Sequence, residues 1–365
     1  MNTNLDKYLN EVIVICFYGR SGSIFLHSLL DNHPNVVSYP GSYLMCYQNW
    51  WEGLKSKKSF DCAYNFIDTF RVIFDPKNSD IDLPGCGRHV GTYLNFHKVG
   101  ENQKEEVSIS KDKFKLNLFK FLNKEDEETA ISFFKKIHFA LALTMDIEIN
   151  TELKIVFQLH SPLKERCKFL DNEKTKCYFL HMIREPVQSA YSMVKHHMSS
   201  GKNIGIAGIV NTLNRYNIIS KNCLSKAVKL EDLHLNPRET MKKIINFVKI
   251  KWSDTLLDST FLGKKWYNVS DSPKIYGFNS VIINQTHEKI LAAYDQSRLK
   301  YLYRKLYKHW DYKIEKKHYF FEYFLRFNIE NKINFYNFFI NRYVIFRLLL
   351  KNFLFLKTKK IIDLI

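Results

Sequence analysis

The chain has 365 residues and a formal net charge of +18, from 55 basic and 37 acidic side chains. That length allows one large α/β domain or two smaller ones, with enough chain for a substantial core. The basic excess suits an anionic ligand, an acidic glycan, a membrane surface or nucleic acid, but only 12 of the 55 basic residues are Arg, and no Arg-rich arm or zinc-finger spacing is present, which excludes nucleic acid as the expected partner.

The first element is the apolar, β-branched run Val12–Tyr18, which reads as a buried parallel strand. Gly19-Arg20-Ser21-Gly22-Ser23 follows, and then a helix with Phe25, Leu26, Leu29 and Leu30 on its apolar face. Strand, small-residue loop and helix together aim backbone N–H groups at a phosphate. No Lys precedes the hydroxyl residue, which argues against a Mg-triphosphate loop.

Val36–Tyr39 reads as a second strand, closed by Pro40-Gly41-Ser42. Residues 43–74 are aromatic-rich, and Trp50-Trp51 is either core or the wall of a pocket. Residues 97–115 read as an exposed polar loop, and 125–147 as a helix with Ile131, Phe134, Ile137, Leu141 and Met145 on one side. A third strand, 154–159, runs into His160-Ser161-Pro162. The fourth, 177–183, ends at Arg184-Glu185-Pro186, before a helix over 187–197. The fifth, 227–230, precedes Glu231-Asp232-Leu233 and a helix with Asn236 as N-cap and Pro237 at its first position.

Five apolar strands, each followed by a helical pattern, imply a three-layer α/β/α fold around a mostly parallel five-stranded sheet. Right-handed crossovers put every strand C-terminus on one edge, so Gly19-Arg20, Tyr39, His160, Arg184 and Glu231 are expected there together. The tail from residue 316 is aromatic and basic. It fits a peripheral membrane contact, a homodimer contact, or a helix packed on the domain.

The seven Cys are dispersed with no C-x-x-C, which predicts free thiols in a reducing compartment. Cys86-Gly87-Arg88-His89 has metal-like spacing but no second pair, so no metal is expected. There is no apolar leader and no membrane-length apolar run, and the expectation is a soluble cytoplasmic enzyme.

Three segments carry a resemblance to one family. Gly19–Ser23, extending through Leu29-Leu30-Asp31-Asn32-His33-Pro34, resembles the 5′-phosphosulfate loop of sulfotransferases that use PAPS (3′-phosphoadenosine 5′-phosphosulfate). Arg184, followed eight residues later by Ser192, resembles that family's 3′-phosphate segment. Lys229-Leu230-Glu231-Asp232-Leu233 before Asn236-Pro237 resembles its Tyr-Glu-Asp-Leu segment. The resemblance implies a P-loop-type sulfotransferase domain over 1–315, with acceptor-pocket insertions at 43–150, and PAPS as co-substrate without a metal. It implies transfer of a sulfuryl group to a hydroxyl or amine of an acceptor, a glycan or lipid-linked sugar among the candidates.

The site residues carried by the resemblance are Gly19, Arg20, Ser21, Gly22, Ser23 and Ile24 for the 5′ end. Arg184 and Ser192 serve the 3′ end, with Lys274 (or Lys265) in a closing loop. Arg20 is the expected cation at the bridging oxygen. Gln158-Leu159-His160-Ser161-Pro162 is similar to the cytosolic family's Lys-Thr-His-Leu-Pro, which makes His160 the candidate base, with His197 and Glu165 behind it. Gln158 stands where that family has a Lys. A P-loop kinase and a non-catalytic nucleotide-fold module at a membrane are the competing readings.

Overall fold

The structure is a computed structural model that describes residues 7–84, 86, 89–160, 164–171, 174–199, 205–215, 224–267, 276–283, 291–314, 316–330, 335–353 and 361–365. Its centre is a five-stranded sheet of β1 (Glu11–Phe17), β2 (Val36–Ser38), β3 (Lys154–His160), β4 (Lys176–Ile183) and β5 (Leu224–Lys229) in the order β2-β3-β1-β4-β5. Every pairing is parallel, with Phe17 opposite His160, Cys16 opposite His181 and Ile183 opposite Lys229. The expected sheet is therefore present, with strand ends within three residues of those read from the sequence.

Before β3 come α1 (Ser23–Leu30), α2 (Tyr47–Gly53), α3 (Ser59–Thr69), α4 (Val90–Tyr93), α5 (Lys111–Phe119) and α6 (Ala130–Thr144). After it come α7 (Lys164–Cys167), α8 (Pro186–Ser199), α9 (Gly205–Arg215), α10 (Leu230–Leu235) and α11 (Pro237–Val248). The C-terminal part adds α12 (Ala293–Leu302), α13 (Arg304–His309) and α14 (Phe335–Phe353). A small hairpin, β6 (Thr260–Phe261) with β7 (Lys264–Lys265), lies between α11 and α12.

Strand periodicity sorts the core. Ile13, Ile15, Val156, Tyr178, Leu180 and Met182 face α1 and α11. Val12, Val14, Cys16, Ile155, Phe157 and Leu159 face the aromatic layer of α2, α3, α5 and α6. Period-two alternation thus gives a central sheet with helices on both faces.

One open reading is settled and three local expectations change. Trp50 and Trp51 are buried against Phe133, and Trp50 also against Phe66 and Phe70, so both belong to the core. The 97–115 stretch is partly helical, since α5 starts at Lys111, and it buries Val99, Val107 and Ile109. Cys46 and Cys86 are joined in a disulfide with Cα atoms 6.4 Å apart, where free thiols were expected. Asn236 occupies the N-cap of α11 but makes no side-chain cap bond, so Pro237 starts that helix unaided.

Residues 363–365 cover part of the β5 edge of the sheet. The Ala227 N–H donates to the Asp363 carbonyl at 2.8 Å, and the Ile365 N–H donates to the Ala227 carbonyl at 3.0 Å. An edge strand so covered offers less backbone to another chain.

Candidate active site

The loop after β1 takes three left-handed residues to turn into α1: Gly19 at φ 93°, Arg20 at 52° and Gly22 at 84°. Two glycines are needed for space as well as for torsion. A Cβ on Gly22 would collide with Leu230, and one on Gly19 would meet Met193 Sδ at 3.1 Å. The loop is therefore walled by α10 on one side and α8 on the other.

Gly22 is the N-cap of α1 and has no side chain with which to cap the helix, a geometry that suits an anion at its first-turn N–H groups. Ser21 lies in the same loop at 1% exposure, and its Oγ has no hydrogen-bond partner among the described residues. Ser23 Oγ donates to Gln158 Oε1 at 3.4 Å, and Gln158 Nε2 donates to the Ser23 carbonyl at 3.3 Å. Gln158 also meets His27 Nδ1 at 3.1 Å, and burial pushes the His27 imidazole down to about 3. The Gln158 amide thus ties the start of α1 to β3.

The second cluster stands one strand away. Arg184 is buried at the end of β4, beside β1. Its charge acts on two neighbours from α10. Burial raises the Glu231 carboxyl, and hydrogen bonds and Arg184 oppose that rise. Burial, then Arg184, brings His234 down to about 4. Glu231 accepts the Glu185 N–H at 2.8 Å and the Tyr312 hydroxyl at 3.0 Å. Glu185 in turn caps α8 by accepting the Gln188 N–H at 2.6 Å. The segment after β5 therefore orients the turn that carries Arg184.

The two clusters touch. Ser189 Oγ, on the first turn of α8, donates to the Gly19 carbonyl at 3.0 Å. Ser192, one turn farther along the same helix, is half-buried.

The expected catalytic residues have partners that the sequence did not signal. Arg20 is exposed, and its Nη1 donates to the Tyr93 hydroxyl at 2.9 Å. Tyr93 packs near His196 of α8, with ring centroids 5.8 Å apart, and His196 packs on His197. His160, at the end of β3, meets the Phe17 ring edge-on at 4.7 Å. Arg166 Nη1 donates to the His160 carbonyl and lies 3.4 Å from its Nδ1. Lys265 is engaged by Glu101 on the surface. Lys274 and the Glu165 side chain lie outside the described residues.

The β6–β7 hairpin is fixed to the far end of α1 through Asp31, which accepts the Thr260 hydroxyl at 3.2 Å and the Gly263 N–H at 3.1 Å. Burial raises the Asp31 carboxyl to about 6 despite these bonds. No cluster of metal-ligating side chains occurs among the described residues.

No protein-family model and no curated protein matches the chain. Among solved structures it is similar to the sulfotransferase domain of the Synechococcus PCC 7002 olefin synthase, at 12% identity and a TM-score of 0.48, covering 84% of this chain and 97% of that one. It is also similar to the sulfotransferase domain of the curacin biosynthetic pathway, at 15% identity and a TM-score of 0.43, covering 84% of this chain and 100% of that one. Sulfotransferase domains are thus among the structural neighbours of this chain, at low sequence identity.

Proposed function

We propose that the chain is a sulfotransferase that moves a sulfuryl group from PAPS to a hydroxyl or amine of an acceptor, with glycans and lipid-linked sugars as fitting acceptors. Ser21 carries this reading. Its hydroxyl is buried without a hydrogen-bond partner among the described residues, inside a loop of positive-φ residues at the start of α1. A buried hydroxyl left without a partner costs about 1–3 kcal/mol, which an oxygen of a bound phosphate would recover. The buried guanidinium of Arg184 on the adjoining strand adds a second anion-binding end. Two such ends suit an adenosine nucleotide with a 3′-phosphate better than a Mg-triphosphate.

When bound, PAPS supplies a sulfuryl group already carried on a phosphate leaving group. The remaining work falls to the chain. The N–H groups of Gly22, Ser23 and Ile24, with Ser21 Oγ, hold the 5′ end. Arg184 and Ser192 hold the 3′ end, and the N-terminus of α8 adds partial positive charge. Arg20, released from Tyr93, neutralises charge at the bridging oxygen. His160 takes the acceptor's proton. A guanidinium can only donate, so contact with Arg166 at Nδ1 leaves a neutral ring protonated on Nε2. For Nε2 to act as the base, Arg166 must swing away from Nδ1.

The test is transfer of label. The purified chain is incubated with PAPS bearing labelled sulfur and with extracts of glycans, lipids and small metabolites. Label appearing on an acceptor, and lost in His160→Ala, supports the reading. No transfer, together with tight Mg-ATP binding, overturns it in favour of a kinase.

A further inference from the structure

Sixteen large apolar side chains are exposed among the described residues, and eight of them fall between Tyr319 and Leu350. Half of them thus fall in one stretch of the chain, where scattered exposed apolar residues would need no explanation. Phe339, Tyr343, Phe346 and Leu350 follow one another at steps of four, three and four along α14, with Ile340 beside them. Such steps place them in one stripe. A different face of the same helix is used by the fold, since Ile345 and Leu349 are buried in the cluster with α9. The helix is therefore apolar on two faces.

The remaining three residues, Tyr319, Phe321 and Leu325, lie in the segment fastened to the flank of α14 by Arg342. Its Nη1 donates to the carbonyls of Tyr323 at 3.0 Å and Leu325 at 2.9 Å, and its Nη2 to Glu330.

Charge decides what covers this face. Residues 316–365 hold ten Lys and Arg against three acidic residues. Lys316, Lys317, Arg326 and Arg347 are exposed. Arg326 lies over the Phe338 ring at 5.0 Å and Arg347 over Tyr343 at 5.8 Å, so basic groups border the stripe. The two acidic residues between 319 and 350 are already committed. Glu330 is buried against Arg342, and Glu322 accepts from His318, Tyr294 and the Tyr319 N–H. A second copy laid on this stripe would set basic side chains against basic side chains with no free carboxylate between them. An anionic lipid surface supplies phosphate for Arg and Lys, and an acyl boundary for Phe, Tyr and Leu. Among the described residues no helix is long and apolar enough to cross a membrane, so the contact lies in the plane of the surface.

We propose that the exposed stripe of α14, with the 319–325 segment beside it, docks the protein on an anionic membrane surface. The docking is independent of the nucleotide reading.

The experiment pellets the full chain with vesicles of phosphatidylcholine alone and of an equimolar mixture with phosphatidylglycerol. The chain is expected in the pellet with the anionic vesicles and released by salt. The Tyr343→Asp, Phe346→Asp double variant is expected to bind about tenfold more weakly, as is Arg347→Glu, with the melting curve unchanged because all three sites are exposed. Three results would overturn the proposal. One is a chain that stays in the supernatant with both vesicles at low salt. Another is undiminished binding by both variants. The third is a dimer in solution without vesicles that the double variant abolishes.

Discussion

Ser189 Oγ donates to the carbonyl of Gly19 across 3.0 Å, so the helix after β4 holds the loop after β1. The two strands are neighbours in the sheet, and this bond makes their C-terminal ends one unit. Ser189→Ala should cost about 1 kcal/mol of folding stability, the usual worth of a buried hydrogen bond. It should also weaken binding of adenosine 3′,5′-bisphosphate, since loop and helix lose their tie. Urea unfolding and calorimetric titration measure the two effects. A stability loss with unchanged affinity would mean that the loop is positioned by other contacts.

Ser21 separates function from stability. Its hydroxyl is buried without a partner among the described residues, so Ser21→Ala should leave the free protein as stable or more stable, by up to about 1–3 kcal/mol. The same change should lower affinity for the bisphosphate. A variant that is less stable and binds equally well would show that the hydroxyl serves the fold.

Arg184→Ala should weaken bisphosphate binding by roughly 1.5–3 kcal/mol, the range for charged hydrogen bonds. Arg184→Lys should fall between, because it keeps the charge and loses the planar fork. Arg184 also balances the carboxyl of Glu231, so thermal melting must accompany the titration. Intact folding with unaltered affinity would remove Arg184 from the site.

Acid stability tests the joint between α1 and the β6–β7 hairpin. Asp31 titrates at about 6 in the fold against 3.8 ordinarily, so the folded state holds this proton more tightly. Its effect is to favour the fold in acid, by about 3 kcal/mol relative to neutral pH, and that advantage is lost as pH rises through 6. His27, His138 and His181 are each held down to about 3 by burial, which acts in the opposite direction. Their contribution is present above 6.5 and is lost as pH falls. Three histidines outweigh one carboxyl, so the protein should lose stability below pH 6.5. Asp31→Asn removes the opposing effect, and its stability should fall more steeply between pH 6 and 4 than that of the unmodified chain. Urea unfolding across that range checks this, and parallel curves would contradict it.

Much of the frame was legible because it is written locally. β1, β3 and β4 are short β-branched or aromatic runs, and Arg184-Glu185-Pro186 announces the start of α8 through a proline and a capping carboxylate. The loop at Gly19–Ser23 was legible from its glycines, because few residues tolerate those torsions. What stayed hidden depends on contacts between distant segments. Tyr93 reaches Arg20 from 73 positions away, and Cys86 meets Cys46 across 40. The hairpin at 260–265 is two short strands with no periodicity to read, and Asp31 ties it to α1 from far away in the sequence. Trp50 and Trp51 were ambiguous because burial in a core and lining of a pocket need the same side chains.

The most direct measurement is calorimetric titration of the full chain with adenosine 3′,5′-bisphosphate, ADP and Mg-ATP in parallel. A rim that grips a nucleotide at both phosphate ends predicts that the bisphosphate binds at least about tenfold tighter than ADP, a difference of about 1.4 kcal/mol, and that Arg184→Ala erases the preference. Equal affinities for the bisphosphate and ADP, or tighter binding of Mg-ATP, would contradict it.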